Sequence, residues 1–277
     1  MQFRDKTLDL TRPRVMGILN VTPDSFSDGG RFTTVDAAFA QASKMVDEGA
    51  DILDVGGEST RPGAEPVSEQ QELDRVIPVI EAICKSLNVI VSIDTSKPGV
   101  MREAVAAGAG MINDVYALRA EQAVDTAAQL QVPVCLMHMQ GEPRTMQSAP
   151  QYNDLLGEIK AFLQARVDAC TAAGITRDQL IVDPGFGFGK TVQHNMRLTG
   201  NLAEFAELGL PVLYGASRKS SLGSILDKDA DQRLFGSLAL AALAIERGAS
   251  IIRVHDVGPT VDVIKTITAV QNALQEQ

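Results

Sequence analysis

The chain is poor in the residues that most often carry metal or nucleophilic chemistry. Its 277 residues include no tryptophan, three histidines and three cysteines. Cys84, Cys135 and Cys170 are far apart, odd in number and form no C-x-x-C pair, which argues against a disulfide framework and against a cysteine-ligated metal site. We therefore predict reduced, mostly buried thiols in a cytoplasmic protein.

Positive charge and long apolar runs are also scarce. Lys and Arg number 25 against 35 Asp and Glu, for a net charge of −10. This balance argues against binding to nucleic acid or to an acidic membrane surface, so an anion site must be a local pocket. No apolar run approaches the length of a membrane span, and the N-terminal MQFRDKTLDL lacks the apolar core of a secretory signal.

Eight apolar runs rich in β-forming residues alternate with helix-like stretches. They lie at 15–22, 51–57, 89–95, 110–115, 133–140, 180–187, 211–219 and 250–257. Strict alternation predicts a parallel sheet, and eight units in this length predict one α/β domain over 1–277, a (β/α)₈ TIM barrel. An open doubly wound sheet is the competing fold.

Several helix boundaries can be predicted from single residues. Gly49, Gly108, Gly174 and Gly248 each lie between a helix-like stretch and a strand, the position of a C-terminal helix cap. Ser68 with Gln71 three residues later is typical of a capping box.

Each predicted strand ends in at least one polar residue, and in barrel enzymes that face carries the chemistry. Loop ends exposed to water would also be polar, but the charges here are separated by sign. Asp94 and Asp183 follow strands three and six, and cations follow strands seven and eight. Side chains two apart share one face of a strand, so Ser217 with Lys219 and Arg253 with His255 are predicted to face one cavity. These groups favour a phosphate site. The alternative is that Arg253 pairs with Asp256 or Asp183.

The stretch DPGFGFGKT, 183–191, differs by one residue from a Walker A loop and by one residue from a dinucleotide fingerprint, so it matches neither motif. Its glycines allow a sharp bend that places Phe186 or Phe188 on the wall of a pocket for a flat substrate, although plain loop packing explains it equally well.

Asp94, Asn113 and Asp183 form a predicted acidic end. Two carboxylates and an amide suit a ligand with several N–H donors, such as an amino-substituted heterocycle. A metal-binding motif such as H-E-x-x-H is missing, and His138 and His194 are predicted to be structural or surface residues. The residues alone thus predict a barrel enzyme with an anion end, an N–H-accepting end and an aromatic wall.

Seven segments together closely resemble the bacterial dihydropteroate synthases. They are GILNVTPDSFSDGG (17–30), GGESTRPGA (56–64), IDTSKP (93–98), CLMHMQG (135–141), DPGFGFGK (183–190), SRKS (217–220) and IIRVHDV (251–257). The resemblance runs nearly end to end and in order. It implies a barrel enzyme of folate biosynthesis that uses Mg²⁺, joins 4-aminobenzoate to a dihydropterin diphosphate, is inhibited by sulfonamides and forms a homodimer.

The resemblance also implies a role for each matching residue. Asp94, Asn113, Asp183 and Lys219 would hold the pterin. The diphosphate would lie among Asn20, Thr60, Arg253 and His255, with Asn20 also binding Mg²⁺. The 4-aminobenzoate site would comprise Thr60, Arg61, Phe188 and Ser220. Phe26 and Asp28 would come from a loop that closes over it.

The implied reaction is an S_N1-like displacement in which Asp94, Asp183, Lys219, Arg253 and His255 act on the reacting groups. Three alternatives stay open: a methyltetrahydrofolate-binding corrinoid methyltransferase, a Schiff-base lyase using Lys219, and an inactive pterin-binding paralogue.

Overall fold

The eight parallel strands close into a barrel. The computed structural model describes residues 1–22, 34–59, 65–142 and 145–275. An antiparallel hairpin comes first, β1 (Gln2–Phe3) with β2 (Lys6–Thr7). The barrel strands are β3 (Arg14–Asn20), β4 (Ile52–Gly56), β5 (Ile90–Asp94), β6 (Met111–Asp114), β7 (Val134–Met137), β8 (Leu180–Asp183), β9 (Leu213–Tyr214) and β10 (Ile251–Val254). Their order is β8-β7-β6-β5-β4-β3-β10-β9, and a parallel bridge between Val182 and Val212 joins the two ends. The predicted TIM barrel is confirmed.

Helices surround the strands. They are α1 (Thr34–Asp47), α2 (Glu69–Ser86), α3 (Pro98–Ala107), α4 (Ala123–Leu130), α5 (Leu155–Ala172), α6 (Val192–Gly200), α7 (Ser220–Leu226), α8 (Leu234–Glu246) and α9 (Val257–Gln275). The capping box of Ser68 and Gln71 opens α2, and the four predicted cap glycines have positive φ, so these boundary predictions are confirmed. Within the described ranges, none of the helices combines the length and the apolar character needed to cross a membrane.

Alternate strand residues divide the barrel into an inner and an outer core. The innermost layer takes one apolar residue from each strand: Met16, Ile52, Ile90, Met111, Cys135, Ile181, Leu213 and Ile251. Phe3 of the N-terminal hairpin packs on this layer and is 1% exposed, so the hairpin closes the bottom of the barrel. This hairpin is absent from the sequence-based prediction. Outward-facing strand residues such as Leu53 and Ile93 pack against the helices.

The open end of the barrel is polar. Strand register places Asn20, Gly56, Asp94 and Asn113 side by side on β3 to β6. A Cβ at Gly56 would lie 3.5 Å from the Cβ of Asp94 and 3.9 Å from Oδ1 of Asn20. The glycine therefore leaves open space between two polar side chains predicted to bind substrate.

The seventh strand is shorter than predicted. The apolar run spans 211–219, but β9 contains only Leu213 and Tyr214. Arg218 has a left-handed backbone with φ 56°, and Lys219 is the N-cap of α7. The prediction that Ser217 and Lys219 share a strand face is therefore wrong, because the left-handed Arg218 between them breaks the alternation of strand side chains.

Candidate active site

Arg253 is the centre of a charge network inside the barrel. Its Nε donates to Oδ2 of Asp54 at 2.6 Å, and its Nη2 donates to Oδ2 of Asp94 at 2.7 Å. The two carboxylates neutralise the guanidinium, and this explains how a nearly buried strand can carry a cation that points into the barrel. The alternative pairing of Arg253 with Asp256 or Asp183 is not observed: among the described residues its ion-pair partners are Asp54 and Asp94. Asp256 accepts from Nε of Arg218 at 2.9 Å.

Asp54 is the site residue that sequence reasoning missed. It is 1% exposed, and its Oδ2 also accepts from Nδ2 of Asn113 at 2.9 Å. Its Oδ1 has no hydrogen-bond partner among the described residues. The available signal was an aspartate inside the apolar run ILDVG, two residues before Gly56 and hence on the same inward face.

Burial and a like-charged neighbour change the acidity of Asp94. Removal from water raises the pKa of its carboxyl, the negative charge of Asp54 raises it further, and Arg253 opposes both, leaving a pKa of about 7. Asp94 therefore changes charge close to neutral pH and is sensitive to any ligand that donates a proton or a hydrogen bond.

Asp183 and Lys219 lie on the other side of the mouth. Asp183 is 7% exposed, burial raises the pKa of its carboxyl, and its Oδ1 accepts from the backbone N of Gly185 at 2.7 Å. Lys219 donates from Nζ to the backbone O of Phe186. Burial lowers the pKa of Lys219 to about 7, against the attraction of Asp183, and the charges of Arg253 and Asp94 also act on it. The charges of these two acidic residues and two cations thus act on one another at the open end of the barrel.

The predicted anion end includes a contact between the segments that follow β10 and β9. Nδ1 of His255 lies 3.1 Å from Oγ of Ser217, which also accepts from the backbone N of His255 at 3.1 Å. Ser217 therefore orients the imidazole. Arg253, predicted for the anion end, instead contacts the acids Asp54 and Asp94 directly.

The two phenylalanines of the glycine-rich loop have different surroundings. Phe186 is 1% exposed and packs edge-on against Tyr214 at 5.7 Å between ring centroids, so it belongs to the outer core. Phe188 is partly exposed, and Nζ of Lys219 lies 4.3 Å from its ring centroid. Phe188 is thus the aromatic residue that can wall a substrate pocket next to Lys219.

The remaining predicted residues are placed as follows. Ser220 is exposed at the first turn of α7. His194 belongs to the capping box of α6, and His138 is 5% exposed, which agrees with structural roles. Phe26, Asp28, Thr60 and Arg61 lie outside the described residues.

Comparison with known proteins identifies the family. The family model described as "Pterin binding enzyme" matches residues 16–255. A curated dihydropteroate synthase from Haemophilus influenzae is 54% identical over 97% of this chain and 98% of its own length. The crystal structure of Yersinia pestis dihydropteroate synthase with a sulfonamide drug has 50% identity and a TM-score of 0.94, covering 98% of this chain and 99% of that one. A Xanthomonas albilineans dihydropteroate synthase solved with 4-aminobenzoic acid has 54% identity and a TM-score of 0.91, covering 95% of each chain. The chain belongs to the dihydropteroate synthase family of pterin-binding enzymes.

Proposed function

We propose that the barrel mouth joins 4-aminobenzoate to 6-hydroxymethyl-7,8-dihydropterin diphosphate, giving 7,8-dihydropteroate and diphosphate. The chain is a transferase of folate biosynthesis. The observation that carries the residue assignments is the hydrogen-bond network that joins Arg253 to Asp54 and Asp94, and Asp54 to Asn113. The charges of Asp183 and Lys219 act on the same network.

The pterin is held by Asp94, Asn113, Asp183 and Lys219. Ionised carboxylates accept hydrogen bonds only, so Asp94 and Asp183 receive the amino and ring N–H groups of the pterin. The amine of Lys219, which donates to the backbone O of Phe186, turns to a ring acceptor. All of these groups are buried or partly buried, where a mismatched ligand leaves polar atoms unpaired at considerable cost.

The diphosphate lies against Asn20, Arg253 and His255; Thr60, also expected to bind it, lies outside the described residues. Arg253 has five N–H donors, and its two bonds to aspartates use two of them. The guanidinium can therefore hold an anion while it stays fixed by Asp54. Negative charge that develops on the departing diphosphate is stabilised by Arg253 and His255.

Asn20 fits a magnesium ion that takes most of its ligands from the substrate. Its amide Oδ1 is directed to the open position above Gly56. The described residues contain no group of three or more His, Cys, Asp or Glu side chains able to hold a metal. Mg²⁺ commonly keeps several waters and binds through one or two protein oxygens and substrate phosphates. Bound there, it would add positive charge beside the diphosphate.

The displacement is S_N1-like. The C–O bond to diphosphate breaks first, and the positive charge left on the pterin methylene carbon is stabilised by the carboxylates of Asp94 and Asp183. The lone pair of the arylamine then forms the C–N bond, and its proton passes to water. An arylamine is a weak base and unprotonated near neutral pH, so the step needs no strong general base. The 4-aminobenzoate binds against Phe188 and Ser220, and sulfonamides compete with it there. The other residues expected at this site, Thr60, Arg61, Phe26 and Asp28, lie outside the described residues.

The enzyme also forms a homodimer under this proposal. Large apolar side chains of the late helices are exposed, among them Phe235 at 78% and Leu274 at 70%, and contact between two copies would cover such surface. Light scattering that gives the mass of a single chain would exclude this arrangement. A cytoplasmic location stays a prediction.

A two-substrate assay of diphosphate release tests the function. Diphosphate should appear only when the dihydropterin diphosphate and 4-aminobenzoate are both present, in amounts equal to the dihydropteroate formed. Release without the arylamine, or no release with both, would overturn the proposal.

A further inference from the structure

The lysine of the glycine-rich loop, Lys190, has no role in the reaction described above. It is 2% exposed. Within the described part of the chain no carboxylate lies at ion-pair distance from its Nζ. Burial lowers the pKa of Lys190 to about 7, against the attraction of Asp183. A buried amine needs hydrogen-bond partners, and these partners indicate what Lys190 does.

Three neutral acceptors surround the Lys190 amine. Nζ lies 2.9 Å from Nδ1 of His138, 2.9 Å from the backbone O of Gly185 and 3.0 Å from the backbone O of Phe188. Burial, followed by the charge of Lys190, lowers the pKa of His138 to about 2. The imidazole is therefore neutral, and with its proton on Nε2 it accepts from the lysine at Nδ1.

The two carbonyls belong to the turn that carries Phe188. The backbone N of Phe188 donates to the backbone O of Gly185 at 3.1 Å, and Gly185, Gly187 and Gly189 all have positive φ. Glycine-rich backbone has many accessible conformations, so a turn of this composition needs outside anchors. Lys190 supplies two from below, while Lys219 binds the intervening carbonyl of Phe186 from the cavity side.

We propose that Lys190 is a positioning residue, which holds the Gly185–Phe188 turn against His138 and thereby fixes Phe188 beside Lys219 for binding of the arylamine substrate. The inference rests on the proposed function, because it takes Phe188 as a wall of the 4-aminobenzoate site. It explains why a lysine follows the glycines although the sequence is not a phosphate-binding Walker A loop.

The test compares steady-state kinetics of Lys190→Met with those of Thr191→Ala. Methionine keeps an unbranched apolar side chain as far as the Cε position and removes the amine with its N–H donors. The KM for 4-aminobenzoate should rise about tenfold or more, the loss typical of a missing hydrogen bond to a charged group, with a smaller change in kcat. Thr191 caps α6 through its side chain, so Thr191→Ala should lower stability and leave this KM unchanged.

If Lys190→Met folds poorly, a second pair of variants tests the same inference. His138→Leu removes one acceptor and should raise the KM for 4-aminobenzoate about threefold or more, whereas His138→Asn offers an amide oxygen to the lysine and should restore most of the affinity. A KM for 4-aminobenzoate in Lys190→Met within about twofold of the parent value would overturn the inference. If Lys190→Met does not fold, the same result in His138→Leu would overturn it. A rise of KM in Thr191→Ala as large as that in Lys190→Met would also overturn it. If the parent enzyme fails the two-substrate assay, the proposed function fails; if it passes and only these KM values stay unchanged, the positioning role alone fails.

Discussion

Arg253 on β10 binds Asp54 on β4 by a hydrogen bond of 2.6 Å that links positions 199 residues apart in the chain. The two strands are not paired with each other, because β3 lies between them. The contact therefore crosses over β3 inside the barrel and fixes the guanidinium where it also reaches Asp94. Asp54 thus orients both Arg253 and Asn113.

Removal of the Asp54 carboxylate should destabilise the fold. Asp54→Ala leaves Arg253 with one of its two contacting carboxylates, and breaking a buried pair in this way costs about 3 kcal/mol. Asp54→Asn can keep an oxygen at the Oδ2 position, so its loss should be nearer to about 1 kcal/mol. Urea denaturation measures both.

Ser92 provides the matched control for this pair. It is the register partner of Asp54 on β5, is fully buried, and has no hydrogen-bond partner for Oγ among the described residues. Ser92→Ala should change the free energy of unfolding by less than about 1 kcal/mol. A loss for Asp54→Ala no larger than that for Ser92→Ala would contradict the role of the pair.

The charge of Asp94 should make stability depend on pH. An aspartate carboxyl in water has an ordinary pKa of 3.8, and the folded protein raises the pKa of Asp94 to about 7, chiefly by burial. The folded state therefore holds the proton more tightly, and the stabilisation is full below pH 3.8 and disappears as the pH rises to about 7. The difference in free energy of unfolding between the parent protein and Asp94→Asn should fall across this range. A difference that stays constant with pH would refute the raised pKa.

Gly185 and Gly174 should differ sharply in their tolerance of alanine. Both have positive φ, at 73° and 96°. A Cβ at Gly185 would lie 1.8 Å from the backbone O of His138, whereas at Gly174 it meets nothing within 4 Å. Gly174→Ala should cost only backbone strain, about 1–3 kcal/mol.

Gly185→Ala must displace the loop from β7, so we expect a larger loss of stability together with a raised KM for 4-aminobenzoate. Thermal unfolding and steady-state kinetics of the two variants measure these effects. Equal losses, with unchanged KM in both, would show that the close approach of the loop to His138 has no functional consequence.

The barrel fold, and the end of the barrel that carries the site, could be predicted from the sequence because both depend on local patterns. Apolar runs mark the strands, glycines mark helix ends, and the strand-end rule places Asp94, Asp183 and Arg253 at one face. The Arg253–Asp54 contact depends on two strands that are distant in sequence, and no local pattern reports such a pair. The break in alternation between Ser217 and Lys219 depends on one left-handed residue, Arg218, which the apolar run before it does not reveal. The hairpin under the barrel consists of two-residue strands, too short for any periodicity.

The side chains of the neighbouring residues Asn113 and Asp114 point in different directions, which distinguishes a predicted substrate-binding residue from a structural one. The amide of Asn113 faces into the barrel and contacts Asp54. The carboxylate of Asp114 is also fully buried, but it accepts from the backbone N of Tyr116 and of Leu118, each at 2.8 Å. Asp114 thus fixes the turn after β6, and its substitution should affect stability rather than the pterin site.

Calorimetric titration of the dihydropterin diphosphate into Asp94→Asn, Asp183→Asn and Asp114→Asn tests the central claim most directly. The claim is that the inward carboxylates of the barrel mouth bind the pterin. The first two variants should each bind about tenfold to a hundredfold more weakly, because a charged hydrogen-bond acceptor is lost. Asp114→Asn should keep the parent Kd within about twofold despite lower stability. Parent-like affinity in both Asp94→Asn and Asp183→Asn would contradict the account.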